Sequence, residues 1–207
     1  AYTGSFQQGN DLRIPGGTVA DTTFEIQQHG LLLAGRNEAL GTFSLDGGLG
    51  RTRYAGTPAL MMDIARDSSR RFGGRWSGEL GPVQLETRGY WHHIDHVMDN
   101  FTLRPNAGTM LNPRSQSPAS SRDVGYRLDA TIPFLEQHVA RVGSDMNLAF
   151  FNSVIQNLTT SQQQTGIPGA HRSRIGVYAE WEARWTDQWQ TLLGLREDTV
   201  WSNADTV

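Results

Sequence analysis

From Arg172 to Trp185 the side chains sort by a period of two. Ile175, Val177, Ala179, Trp181, Ala183 and Trp185 fall on one side, and Arg172, Arg174, Tyr178, Glu180, Glu182 and Arg184 on the other. Successive side chains of a strand point to opposite faces, whereas a helix would mix the two sets. The pattern recurs from Asp123 to Phe134, where Val124, Tyr126, Leu128, Ala130, Ile132 and Phe134 oppose Asp123, Arg127, Asp129 and Thr131. Phe72, Trp76 and Leu80 oppose Arg71, Arg75 and Glu79, and Val83, Leu85 and Trp91 oppose Gln84, Glu86, Arg88 and His92. The segments Val139–Phe151 and Trp189–Val200 are less regular, yet they place Arg141, Asp145, Arg196 and Asp198 on one face. Two weaker strands fall near Phe24–Ala34 and Ala39–Gly47. A chain of this kind folds into sheet with one apolar and one densely charged face.

The connections alternate in length. Tight turns fall near Gly35-Arg36-Asn37, Gly81-Pro82, Leu135-Glu136-Gln137 and Asp187-Gln188, and polar loops are expected over Gly50–Ser69, Phe101–Arg122 and Gln156–His171. Short turns at one rim and long loops at the other are the arrangement of bacterial outer-membrane barrels, turns periplasmic and loops extracellular. A soluble β-sandwich also alternates along its hairpins. Strands of roughly 10 to 15 residues are long for it, and Trp and Tyr near the strand ends fit the aromatic girdles of a membrane barrel. The expectation is therefore all-β: an antiparallel transmembrane β-barrel segment of about eight strands, an arc of a larger barrel and not a small closed one.

Composition narrows the function. With 18 basic and 21 acidic residues the net charge is -3, which excludes the footprint of a nucleic-acid binder. No apolar run reaches the length of roughly 18 residues that a membrane-spanning helix needs, a test that barrel strands escape. The absence of cysteine removes disulfides, thiolate catalysis and Cys-based metal sites. The start, Ala1-Tyr2-Thr3-Gly4, lacks the basic and apolar regions of a signal peptide, and Asn203-Ala204-Asp205-Thr206-Val207 follows a strand without a turn. The chain is thus expected to be a piece of a longer protein. It carries no Gly-x-Ser-x-Gly and no His-Glu-x-x-His, so it is not expected to be an enzyme. The paired Glu180 and Glu182 read as charges of the polar face, balanced by Arg172, Arg174 and Arg184.

The densest set of potential ligands is Tyr90-Trp91-His92-His93-Ile94-Asp95-His96-Val97-Met98-Asp99-Asn100. Counting by two from Glu86 and Arg88 carries the polar face through Tyr90, His92, Ile94, His96, Met98 and Asn100. His96 and Met98 then point the same way, roughly 7 Å apart. An imidazole nitrogen with a thioether sulfur suits a soft ion, above all Cu(I), whereas Ca²⁺ or Mg²⁺ would want oxygen ligands. His92 lies roughly 13 Å from His96 and would serve a further step in a path. Met61, Met62 and Met110 lie in the expected loops at the same rim and could add thioethers, while Met146 falls with Val142, Leu148 and Phe150 on the apolar face. The bland reading is an ordinary polar rim.

Two runs carry a family resemblance: Arg53-Tyr54-Ala55-Gly56-Thr57-Pro58 leading to Met62-Asp63, and Asp95-His96-Val97-Met98-Asp99-Asn100-Phe101-Thr102-Leu103-Arg104. With the strand and loop layout, they resemble the TonB-dependent outer-membrane receptors, and within them the copper-receptor branch. The resemblance implies that residues 1–207 are part of a barrel of roughly 22 strands, without the plug domain or TonB box. It implies energy-dependent import of a metal across the outer membrane, driven by the TonB complex through the missing plug. In that branch the matching His and Met, here His96 and Met98, contribute to a copper site completed by soft ligands of the plug. The alternative cargo is a ferric siderophore or other chelate, for which Tyr90, Trp91 and Arg104 could line a pocket. A passive porin-like barrel is the alternative of a different class.

Overall fold

The computed structural model describes residues 1–104 and 107–204; Pro105 and Asn106 of the second expected loop, and Asp205–Val207 at the chain end, lie outside the described residues. The strands are β1 (Tyr2–Gly9), β2 (Leu12–Ile14), β3 (Gly17–Val19), β4 (Phe24–Asn37), β5 (Gly41–Ala55), β6 (Asp63–Leu80), β7 (Val83–Asp99), β8 (Ser115–Phe134), β9 (His138–Asn157), β10 (Gln162–Thr186) and β11 (Trp189–Asn203). Nine of them form one sheet in the order β1-β4-β5-β6-β7-β8-β9-β10-β11, while β2 and β3 form a separate small hairpin. Each sheet strand pairs antiparallel with the next. Among the described residues β1 and β11 do not pair with each other, so the sheet is an open arc. The fold is an all-β segment of barrel wall.

Two expectations need correction. The sheet has nine strands, because β1 precedes the first one expected. Two of the three expected long loops are mostly strand, and the second keeps a long connection between Asp99 and Ser115; β8 has 20 residues, β9 has 20 and β10 has 25. The residues between β5 and β6 shrink to the stretch 56–62, and those between β9 and β10 to 158–161. About 9 to 11 tilted residues cross a bilayer, so the upper halves of these strands stand clear of it. There both faces are polar and the period of two disappears, although backbone pairing continues. Pro168 sits where the register slips between Ile167 and Ala170, and Pro118 in a gap of the β8–β9 pairing between Gln116 and Ala119 across which the register is kept, positions where a missing N–H costs little.

On the charged face, side chains pair both across strands and along them. Glu86 takes Arg75 at 2.7 Å and Arg88 at 2.8 Å; Asp129 takes Arg127 at 2.7 Å; Asp145 takes Arg174 at 2.6 Å and Arg196 at 2.7 Å. Glu180 and Glu182 both bind Arg141 at 2.6 Å, with Arg184 at 3.5 Å from Glu182. This replaces the expected balance by Arg172 and Arg174, because Arg141 stands directly opposite Glu180 on the neighbouring strand. Glycines open space for this face. A Cβ on Gly125 would lie 2.6 Å from the Tyr90 hydroxyl, and one on Gly143 would lie 2.3 Å from the Tyr178 ring.

The opposite face is apolar. At the tight-turn rim His138 stacks on Trp181 at 5.7 Å between centroids, and Trp185 meets both rings edge-on. Trp181 Nε1 donates to His138 Nδ1 at 3.2 Å. Between Phe134 and Val124, β8 runs roughly 33 Å, about 25 Å of height once tilted. That is the apolar band of a membrane barrel. The apolar face looks to lipid and the charged face to the interior.

Candidate metal site at the inner rim

Strand β7 crosses the interior face with Tyr90, His92, Ile94, His96 and Met98 at alternate positions, because its register is set by the hairpin with β6. Leu80 pairs with Val83 across the Gly81-Pro82 turn, and the pairing holds without a break to Asp67 opposite His96. Gly81 supplies the positive φ of 60° that this turn demands. Between Arg66 and Ile64 one extra residue, Ala65, bulges out, and Met98 then pairs with Ile64. On the other side, Ala119 pairs with His96 and Ser117 with Met98. Both are small, so His96 and Met98 stay accessible from β8.

His96 does not stand alone. Its Nδ1 lies 3.0 Å from Asp67 Oδ2. A carboxylate on Nδ1 fixes the tautomer with the proton there and leaves the Nε2 lone pair free, the outer-shell arrangement that orients imidazole ligands in metal sites. Asp67 escaped the sequence reading, although the signal was present: counting outward from Gly81-Pro82 places Asp67 opposite His96. His92 pairs with Arg71 and Asp123, further from the rim. Met61 and Met110 are almost fully exposed, and Met62 is half-buried next to Asp63, one turn of chain from the Met98 pairing. Met146 lies among the lipid-facing residues, opposite Tyr126 and Ile175. Among the described residues no three His, Asp or Glu side chains gather as a metal cluster.

The residues of the chelate-pocket alternative are dispersed. Tyr90 faces inward, where its hydroxyl accepts from Asn147 Nδ2 at 2.9 Å. Trp91 turns its ring to the lipid side, where it stacks on His93 at 6.0 Å, so it borders the hollow that Tyr90 lines without presenting its ring to it. Arg104 is engaged elsewhere: its Nε and Nη2 donate to Asp63 at 2.7 and 2.9 Å, and Nη2 also donates to the Leu60 carbonyl at 2.8 Å. Asp63 is fully buried and accepts from the Thr57 amide at 2.7 Å. Burial would raise its pKa, but Arg104 and Thr57 outweigh that and hold the carboxyl below its ordinary value. The two runs that carry the resemblance, Arg53–Asp63 and Asp95–Arg104, are thus clasped to each other by Asp63 and Arg104. Asp99, paired with Asp63, turns the chain out of β7 by accepting from the Phe101 and Thr102 amides.

Below the histidines the interior face forms an open hollow of about 640 Å³, lined among others by Asp46, Arg71, Arg75, Arg88, Tyr90 and His92. No family model and no curated protein matches the sequence. Solved structures do match, among them one titled "Copper transporter OprC", with a TM-score of 0.76 over 96% of this chain at 21% identity. The chain spans 33% of the length of that structure. The likeness concerns the fold.

Proposed function

We propose that this chain is part of the wall of an outer-membrane transporter that imports a metal ion, with copper as cargo, His96 and Met98 as ligands and Asp67 as the group that aims His96. The observation that carries this reading is the Asp67–His96 contact. It aims an imidazole nitrogen into the interior on the same face as the Met98 thioether, a donor pair of the softness Cu(I) favours. The likeness to a structure titled as a copper transporter supports it. Met62, and with less constraint Met61 and Met110, would add sulfur at the rim, and His92 would receive the ion on its way inward. The remaining donors, the plug and the coupling to the TonB complex would be supplied by other parts of the protein.

A metal chelate is the second reading, and the inner hollow favours it. Arg71, Arg75 and Arg88 beside Tyr90 and His92 would suit an anionic ferric siderophore. A passive porin-like barrel would need neither donor pair nor plug, and the sequence upstream of Ala1 separates it from a receptor. Metal analysis of the full-length protein, loaded with Cu(I) and washed, tests the copper reading. Wild type is expected to retain copper and His96→Ala with Met98→Ala to lose most of it. Equal copper in both would end the proposal.

A further inference from the structure

Most arginines of the interior face are matched: Arg75, Arg88, Arg127, Arg141, Arg174 and Arg196 have carboxylate partners, whereas Arg71 and Arg172 are in no ion pair among the described residues. On the lipid-facing side, directly above the apolar band, Arg51, Arg66, Arg70 and Arg122 are exposed and form no ion pair recorded among the described residues. Their placement follows from register. Arg70 and Arg122 flank His93, Arg51 pairs with Ser68, and Ser68 pairs with Asp95, which pairs with Ser120. Arg51 is therefore diagonal to both Arg66 and Arg70, roughly 7 to 8 Å from each Cα. The level is fixed by the next residues down each strand: Phe72 below Arg70, Trp91 below His93, Val124 below Arg122.

The Ala65 bulge bends this part of the sheet, and β8 and β9 are unpaired between Gln116 and Ala119. Here lies an outward hollow of about 690 Å³ that Arg51, Arg66 and Arg70 share with Ser68, Ser120 and Asn152. Its donors are guanidinium, hydroxyl and amide groups, the set that binds phosphate oxygens. Asp95 also borders the hollow and is occupied by His93 Nε2 at 3.1 Å. Arg122 places its guanidinium carbon over Phe150, 4.7 Å from the ring centroid.

We propose that this collar of Arg51, Arg66, Arg70 and Arg122 binds the phosphate groups of a lipid headgroup in the leaflet at the loop rim. Charge complementarity identifies the occupant. Acyl chains lying against Phe72, Trp91, Val124 and Phe150 bring their headgroup phosphates to the height of the unpaired guanidinium groups, and a soluble partner would have no reason to match that height.

The test uses the full-length protein in nanodiscs that contain either diphosphorylated lipid A or the same lipid with its phosphates removed, and native mass spectrometry counts the lipid that stays bound. Wild type is expected to retain the phosphorylated form on the order of tenfold more strongly. Arg70→Gln with Arg122→Gln is expected to abolish that preference. Arg71→Gln with Arg172→Gln removes the same charge from the interior face and is expected to keep it. Equal retention of the two lipids by wild type, or equal loss in both double variants, overturns the proposal.

Discussion

Asp67 and His96 face each other across the β6–β7 hairpin, Oδ2 to Nδ1 at 3.0 Å, and this contact determines which imidazole nitrogen is offered to the interior. Removing the carboxylate frees the ring to rotate and to change tautomer. Asp67→Ala is expected to lower the Cu(I) affinity of the full-length protein by roughly 10- to 100-fold, and Asp67→Asn, which keeps an acceptor oxygen, by less. Competition against a Cu(I) chelator measures it. An unchanged affinity in Asp67→Ala would remove Asp67 from the site.

The clasp of Asp63 and Arg104 should be insensitive to pH over the neutral and mildly acidic range. The carboxyl is held below its ordinary value, so its stabilisation is complete above the carboxylate pKa of the unfolded chain and is lost as pH falls through the lower, folded value. Hydrogen exchange at the Thr57 amide, which donates to Asp63, is expected to show constant protection from pH 7 down to about 4 and a fall only below that.

Asp63→Ala leaves the Arg104 guanidinium and the Thr57 amide without their acceptor. A cost of about 1 to 3 kcal/mol is expected, concentrated at the rim. Limited proteolysis should cut the stretch 56–62 faster in this variant, while the apolar band stays protected. Cleavage at the wild-type rate would assign the closure to other contacts.

Gly56 lies against the chain before β4. A Cβ there would sit 1.8 Å from the Asp21 carbonyl oxygen, and the Gly56 amide donates to Thr23 at 2.9 Å. Gly56→Ala should force the two segments apart and lower the thermal midpoint of the detergent-solubilised protein by several degrees, more than Gly89→Ala, whose added methyl meets open space.

At the other rim, Trp181 joins the stack with His138 and Trp185. Trp181→Ala removes this anchoring and leaves His138 Nδ1 without its donor. It is expected to destabilise the membrane-inserted protein by about 2 to 4 kcal/mol in denaturant unfolding from vesicles, whereas the exposed Leu135→Ala should be close to neutral.

Inside the apolar band the sequence was legible because water on one side and lipid on the other impose opposite demands on neighbouring residues. Ile175 and Arg174 could be assigned to their faces from spacing alone. Above the band that contrast ends. Gln162 to Ala170 and Ser115 to Ser121 are polar on both sides, contain Pro168 and Pro118, and read as loops, yet they pair as strand. Asp67 was missed for another reason: its partner is 29 residues away, and only counting outward along both strands from the Gly81-Pro82 turn joins the two. Trp91 was legible as a lipid-facing residue by parity, which rules it out of the pocket to which its aromatic character had assigned it.

The Gly81-Pro82 turn has a consequence for how such a wall can change over evolution. Thirteen residue pairs separate it from the Asp67–His96 contact, roughly 43 Å along the strands. One residue inserted in that turn would move β6 past β7 by a single step, set Ser68 or Arg66 opposite His96, and exchange the inward and outward sides of one strand. Lengthening of the stretch 56–62 at the far rim would disturb none of this. The end of the hairpin that carries His96 and Met98 is therefore free to vary in length, and the constraint on its register resides at the opposite rim.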